Sequence, residues 1–289
     1  MSTRQPDTES RDARSGLSVP VLASAVFTQL RAIVRSRTGI HLGDHKRQLC
    51  QTRLARRLRA LGLATFEAYL AELDRPGSTE HVELVNAITT NVTAFFREPH
   101  HFELISGQVL PALAREPGRA RLRLWSAGCS SGEEPWSMAM VLDEARLPAW
   151  WDVKILATDI DTDVLARARD GVYGDDRLAQ LGVARRSRYL APAGPARPDQ
   201  WRISDLLRDR VAFRVLNLFD RWPMQRQFDV IFCRNVIIYF DETSRQQLVR
   251  RFAEALAPGG YLCLGHSESL FHTVSGLEPC GRTSYRKVS

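Results

Sequence analysis

No run of 18 apolar residues occurs in this chain of 289 residues, and its first twenty, rich in Arg, Ser, Asp and Glu, contain no apolar heart of a secretory signal. The expectation is a cytoplasmic protein without direct membrane insertion. Cysteine is scarce as well. Cys50, Cys129, Cys233, Cys263 and Cys280 are odd in number, widely spaced and free of any C-x-x-C pair, which argues against a disulfide framework or a zinc site, so they are read as reduced thiols. Acid is missing from one stretch: Lys46, Arg47, Arg53, Arg56, Arg57 and Arg59 follow one another with no carboxylate between positions 46 and 59. With a net charge of +7, that stretch favours an acidic partner over a merely solvated helix face, although charge alone does not choose among nucleic acid, anionic lipid and acidic protein.

Hydrophobic patterning divides the chain. Residues 1–20 lack periodicity and are expected to be a disordered tail. From 21 to 105 the pattern is helical: Phe27, Leu30, Ile33 and Val34 share a face, as do Leu54, Leu58 and Leu61, and Phe66, Tyr69, Leu70 and Leu73 continue the stripe. Pro111, Pro117 and Gly118 punctuate a linker over 106–120. Over 121–289 apolar runs alternate with helical stretches. Strands are predicted at 121–126, 153–158, 211–216, 228–233 and 261–264, with helices after the first, second and fourth, which implies an α/β fold with a parallel, doubly wound sheet. The Pro-rich stretch 174–212 breaks that rhythm and is read as an insertion, and 276–288 as a terminal hairpin.

The most informative segment is Leu122-Arg-Leu-Trp-Ser-Ala-Gly-Cys-Ser-Ser-Gly-Glu-Glu-Pro135, a strand entering a glycine turn and then a helix. A nucleotide-like ligand is expected there, but Glu133 and Glu134 at the helix start would repel a pyrophosphate. The ligand should carry a cation, and S-adenosylmethionine meets that requirement. The plainer reading is that both acids merely complement the helix dipole. Asp159, closing the second strand, is placed to accept ribose hydroxyls, while Asp161 and Thr162 can supply the cap of the helix that follows. Arg234 and Asn235, at the carboxyl end of the strand beginning at Phe228, point toward the ligand crevice with Tyr239 shortly after. In Asn86 to Phe102, Arg97 offers a planar fork for carboxylates. His100 and His101 read as ordinary histidines, with no third ligand at metal spacing nearby, so no metal is expected.

Assembled, these segments resemble the CheR family of chemotaxis receptor glutamate O-methyltransferases. The likeness rests on Ile88-Thr-Thr-Asn-Val-Thr-Ala-Phe-Phe-Arg97, Trp125 to Pro135, Ala157-Thr-Asp-Ile-Asp161, Asn217-Leu218, Phe232-Cys-Arg-Asn-Val-Ile-Ile-Tyr-Phe-Asp241 and Gly265-His-Ser-Glu268. It implies a Rossmann-like S-adenosylmethionine-dependent methyltransferase sheet, an N-terminal helical domain and a small inserted antiparallel β-subdomain, with no fused tetratricopeptide or response-regulator module. It also implies cofactor contacts from Asn91, Thr93, Arg97, Asp159, Asn217, Leu218, Arg234 and Asn235, and an ammonium contact from Glu133 or Glu134. Arg97 and Tyr239 are implied nearest the methyl transfer, and Arg53, Arg56, Arg57 and Arg59 on the substrate-binding face. The implied partner is the cytoplasmic helical domain of methyl-accepting chemotaxis receptors, approached by a monomer and without nucleic acid. A nucleic-acid or small-molecule methyltransferase, or a non-catalytic S-adenosylmethionine sensor, are the alternatives.

Overall fold

The computed structural model describes residues 20–270 and 276–288, so the expected tail lies, apart from Pro20, outside the described residues. Four helices come first: α1 (Ser24–Thr38), α2 (Arg47–Leu61), α3 (Phe66–Asp74) and α4 (Glu80–Ile88). Their apolar stripes form a separate small core of Phe27, Leu30, Val34, Leu54, Leu58, Phe66, Tyr69 and Leu84; Leu61, grouped with that stripe on spacing, is exposed. One polar network is buried with it. Glu80 accepts from Arg57 Nε at 2.8 Å and Nη2 at 2.7 Å, and from the Tyr69 hydroxyl at 3.0 Å.

The predicted linker is largely helix. Chain 100–114 runs as α5 (His100–Leu104), a π turn (Ile105–Val109) and α6 (Leu110–Ala114), leaving only 115–120 as a connection. Pro111 is tolerated because it follows the π turn directly, where the Leu110 N–H already reaches back to Ile105 and the regular ladder is broken. Phe102, Ile105, Val109 and Leu110 are buried in the same core as the sheet, so this segment is packed with the sheet and not with the helices before it.

The main sheet has the order β6-β2-β1-β7-β8-β10-β9. Its parallel part comprises β1 (Arg121–Ala127), β2 (Asp152–Asp159), β6 (Val211–Val215), β7 (Phe228–Cys233) and β8 (Leu256–Leu264); β9 (Leu277–Gly281) and β10 (Ser284–Lys287) complete it as an antiparallel hairpin. Helix α7 (Glu133–Glu144) follows β1, and α8 (Thr162–Asp170) follows β2. The insertion holds an antiparallel sheet of β3 (Val172–Gly174), β4 (Leu190–Pro192) and β5 (Gln200–Ile203), with α9 (Val183–Tyr189) and α10 (Asp205–Arg208). It starts two residues before the expected 174, and Val211, placed in it, already pairs with Ile155 of the main sheet. Helix α11 (Glu242–Ala255) packs on the opposite face through Leu248 and Phe252. The order in which strands are added reverses between the parallel neighbours β1 and β7, so the carboxyl ends of these two strands open the crevice where doubly wound sheets bind ligands.

Removing Arg57 strands the buried Glu80 carboxylate. Arg57→Ala is expected to lower the unfolding free energy by about 2–4 kcal/mol. Arg56→Ala, on the exposed side of α2, should change it by about 0.5 kcal/mol or less. Urea unfolding of both variants checks the contrast, and equal losses would remove the network from the stability of this region.

Candidate active site

Two carboxylates at the end of β2 organise the crevice. Asp159, 8% exposed, accepts from the Ser130 N–H at 2.7 Å and the Asp161 N–H at 3.0 Å. A carboxylate has about four acceptor positions, so capacity remains on the side facing the cleft. Burial raises its pKa to about 6. Asp161, and not Asp159, caps α8, accepting from the Asp163 and Val164 N–H groups at 2.9 and 3.1 Å. Its other oxygen accepts from Thr89 Oγ1 at 2.6 Å and Asn91 Nδ2 at 2.7 Å. Asn86 bonds reciprocally with Thr162, so the segment after α4 is seated on the start of α8.

The glycine turn after β1 brings the second pair of acids in, and separates them. Gly132 has φ +96°, and a Cβ there would lie 2.9 Å from the Ala168 Cα, so glycine lets α7 start this close to α8. Glu133 is fully buried and turned away from the cleft, where Arg177 of the insertion and the Ser131 hydroxyl hold it. Glu134 lines the cleft, accepting from Ser126 Oγ at 2.7 Å and Arg234 Nη1 at 3.2 Å, and burial raises its pKa. Of the two acids carried forward from the sequence, only Glu134 can meet a cationic ligand directly.

Across the crevice, Arg234 is buried after β7, between Glu134 and the Arg97 carbonyl, with its guanidinium over the Phe102 and Phe232 rings. Asn235 sits at φ +59°, a conformation unusual for a residue with a side chain. Glu268 holds it there: the carboxylate accepts from the N–H groups of Asn235 and Gly265, both at 2.7 Å, and Ile238 at 3.1 Å. Glu268 stands in the Gly265-His-Ser-Glu268 segment, where the sequence alone assigns it no role. In the structure Gly265 explains itself: a Cβ there would lie 2.7 Å from Glu268 Oε2, so glycine lets this carboxylate sit against the backbone.

The cleft closed by these groups measures about 300 Å³, within the range of small-ligand sites. Asn91, Thr93, Arg97, Asp159, Asn217, Leu218, Arg234, Asn235 and Tyr239 all line it; so does Arg53, whereas Glu133, Arg56, Arg57 and Arg59 do not. Asn217 also ties α1 to this wall, its amide donating to the Arg37 carbonyl at 2.7 Å. Arg97 is anchored on the Val92 carbonyl at 2.8 Å, and the Tyr239 hydroxyl lies 3.4 Å from the Thr90 carbonyl. Burial raises the Tyr239 pKa, which keeps the hydroxyl a proton donor at neutral pH. Cys129 is no nucleophile, since burial pushes its thiol well above the ordinary range. These features fit S-adenosylmethionine: one wall carries a carboxylate with free acceptor positions, and a second carboxylate faces the same space.

The basic stretch is corrected in part. Arg57 is neutralised by Glu80 and by Glu83 at 3.1 Å, acids supplied by α4 and invisible in the local sequence. Arg53 donates to the Ile88 and Thr89 carbonyls at 2.9 and 2.6 Å, capping the end of α4. Arg56 and Arg59 remain exposed. The histidine reading also changes, because Glu98 stands beside His100 and His101 as a third potential ligand.

Glu268→Ala leaves three N–H groups, that of Gly265 buried and those of Asn235 and Ile238 half-buried, without this acceptor. It is expected to cost about 2–4 kcal/mol of stability, since each unsatisfied group costs about 1–3 kcal/mol and some regain water. Glu268→Gln should cost less. Chemical unfolding checks this, and a wild-type value for the alanine variant would deny Glu268 its anchoring role.

Among the described residues no helix is long and apolar enough to cross a membrane. Residues 25–89 match the family model described as "CheR methyltransferase, all-alpha domain", and residues 91–286 match "CheR methyltransferase, SAM binding domain". The two family models meet near residue 90. The chain is 42% identical over 261 residues to chemotaxis protein methyltransferase 2 of Pseudomonas aeruginosa, covering 90% of this chain and 91% of that protein. It is 41% identical over 268 residues to the chemotaxis protein methyltransferase of Escherichia coli, covering 91% of each. It is 39% identical over 251 residues to that of Borreliella burgdorferi, covering 84% of this chain and 88% of that protein. A doubly wound sheet whose crevice is built for a cationic nucleoside, preceded by a matching helical domain, therefore belongs to an S-adenosylmethionine-dependent methyltransferase of the CheR family.

Proposed function

We propose that this methyltransferase esterifies glutamate carboxylates on the helical domain of chemotaxis receptors, acting as a monomer in the cytoplasm. The observation that carries the reading is the composition of the cleft: two buried acids, Asp159 and Glu134, on the nucleoside side, and Arg97 with Tyr239 lining the same space. When bound, S-adenosylmethionine supplies an electrophilic methyl group on a sulfonium. Asp159 would hold its ribose hydroxyls and Glu134 its ammonium, with Asn91, Thr93, Asn217, Leu218, Arg234 and Asn235 along the same walls. A substrate glutamate, with an ordinary pKa of about 4.3, is already ionised at neutral pH and needs no general base. Arg97 would present its planar fork to that carboxylate, and the protonated Tyr239 hydroxyl would donate to it or fix its approach. The remaining work is alignment and exclusion of water. Arg56 and Arg59 would meet acidic residues of the receptor helix outside the cleft, and Arg53 would act through the Ile88–Thr89 backbone it holds.

The test is transfer of labelled methyl groups to receptor-containing membranes, followed by release of base-labile methanol. Base-labile label on the receptors is expected. Label on RNA or DNA, or none anywhere, would overturn the proposal. Arg97→Lys retains charge and loses the fork, so turnover should fall by at least about tenfold more than cofactor affinity; equal losses would confine Arg97 to cofactor binding.

A further inference from the structure

Immediately behind Arg97 the chain gathers three side chains that can ligate a metal. Glu98 is held at φ +54° and its carboxylate points inward. One oxygen accepts from His266, the N–H at 3.3 Å and Nδ1 at 3.1 Å. The other, Oε2, is buried without a hydrogen-bond partner, 3.7 Å from Nδ1 of the fully buried His101. That Nδ1 has no partner either, and neither does the buried Nε2 of His100. Eight buried side-chain polar atoms among the described residues lack partners, and three of them belong to these adjoining side chains, each of which has a ligand atom within 4.8 Å of the others'. Buried polar groups in folded proteins are ordinarily satisfied, so three orphans on adjoining side chains call for a ligand that accepts lone pairs.

We propose that Glu98, His100 and His101 form a binding site for a divalent transition-metal ion of the zinc class, adjoining the cofactor cleft. Two imidazoles and a carboxylate are a donor set suited to such an ion, with a fourth position left for water. The ligand atoms lie within 4.8 Å of one another. A tetrahedral site needs about 3.4 Å between them, given metal–ligand bonds of about 2.1 Å, so side-chain movements of about an ångström close it. The outer support is present: His101 Nε2 lies 3.2 Å from Thr283 Oγ1, so the turn at Arg282–Thr283 takes the Nε2 proton and leaves Nδ1 as the lone-pair nitrogen. Arg234 Nη2 stands 3.6 Å from Glu98 Oε2 and opposes the cation; its other contacts, to Glu134 and the Arg97 carbonyl, hold it on the cleft side. Occupancy would fix the backbone from Arg97 to His101 and so bear on the position of Arg97.

The full chain, stripped with chelator and free of any affinity tag, should be titrated with Zn²⁺ alone by calorimetry and with Co²⁺ followed by visible absorption. One equivalent should bind with a Kd near or below about 10 µM. The Co²⁺ band should have the intensity of a four-coordinate site. His100→Ala and Glu98→Gln should each weaken binding by at least about tenfold, whereas His45→Ala, on the exposed face of the helical domain, should not change it. His101→Ala can fail to fold because the ring is fully buried, so His100→Ala carries the decision, with circular dichroism confirming its fold. Absence of binding at 100 µM metal, equal affinity in His100→Ala and wild type, or loss of the site in His45→Ala would each overturn the proposal.

Discussion

Two buried carboxylates two residues apart, at the carboxyl end of β2, hold the functional half of this protein together. Asp159 accepts the Ser130 N–H and thereby fixes the turn between β1 and α7; Asp161 accepts the start of α8 on one oxygen and the segment after α4 on the other. A single corner therefore sets the shape of the glycine turn, the seating of the helical domain and the floor of the cofactor cleft. The arrangement is electrostatically costly. Burial raises the pKa of Asp159 from 3.8 to about 6, so the folded chain binds that proton more tightly than the unfolded one, and unliganded stability contributed by this group falls as pH climbs from about 4 to about 6. In the role proposed for Asp159, ligand hydroxyls donating to the free acceptor positions would offset that cost.

Backbone strain follows the same geography. Six described non-glycine residues have positive φ; two of them, Ser130 and Asn235, line the cleft, and two more, Phe96 and Glu98, flank the cleft residue Arg97 in the chain. Each is held by a specific contact: Phe96 N–H on the Ser137 hydroxyl, Glu98 on His266, Ser130 on Asp159, Asn235 on Glu268. Strained residues kept in place by neighbours make a preorganised site, because the geometry is set before ligand arrives.

Much of this was legible in the chain. The strands of the parallel sheet, the crossover helices and the terminal hairpin follow from alternating and helical periodicities with glycine punctuation, and the acidic helix start at Glu133-Glu134 pointed away from a phosphate ligand. What was not legible depended on partners distant in sequence. Glu80 and Glu83 neutralise Arg57 from another helix, Arg177 draws Glu133 out of the cleft from across 44 positions, and Glu268 holds the N–H groups of Asn235 and Ile238 from 33 and 30 positions away. The linker was misread because Pro111 signals a break only when the helix before it is regular, and a π turn removes that condition.

The direct measurement is the affinity for S-adenosylmethionine as a function of pH, by calorimetry, for wild type and Asp159→Asn. With Asp159 titrating at about 6 in the free protein, about a tenth of it is ionised at pH 5, and apparent affinity should be about tenfold weaker there than at pH 7.5. In Asp159→Asn affinity should be weaker at pH 7.5, and most of the pH dependence should be gone. A wild-type affinity that is flat between pH 5 and 7.5, or an Asn variant that binds as wild type does, would contradict the placement of Asp159 at the centre of the site.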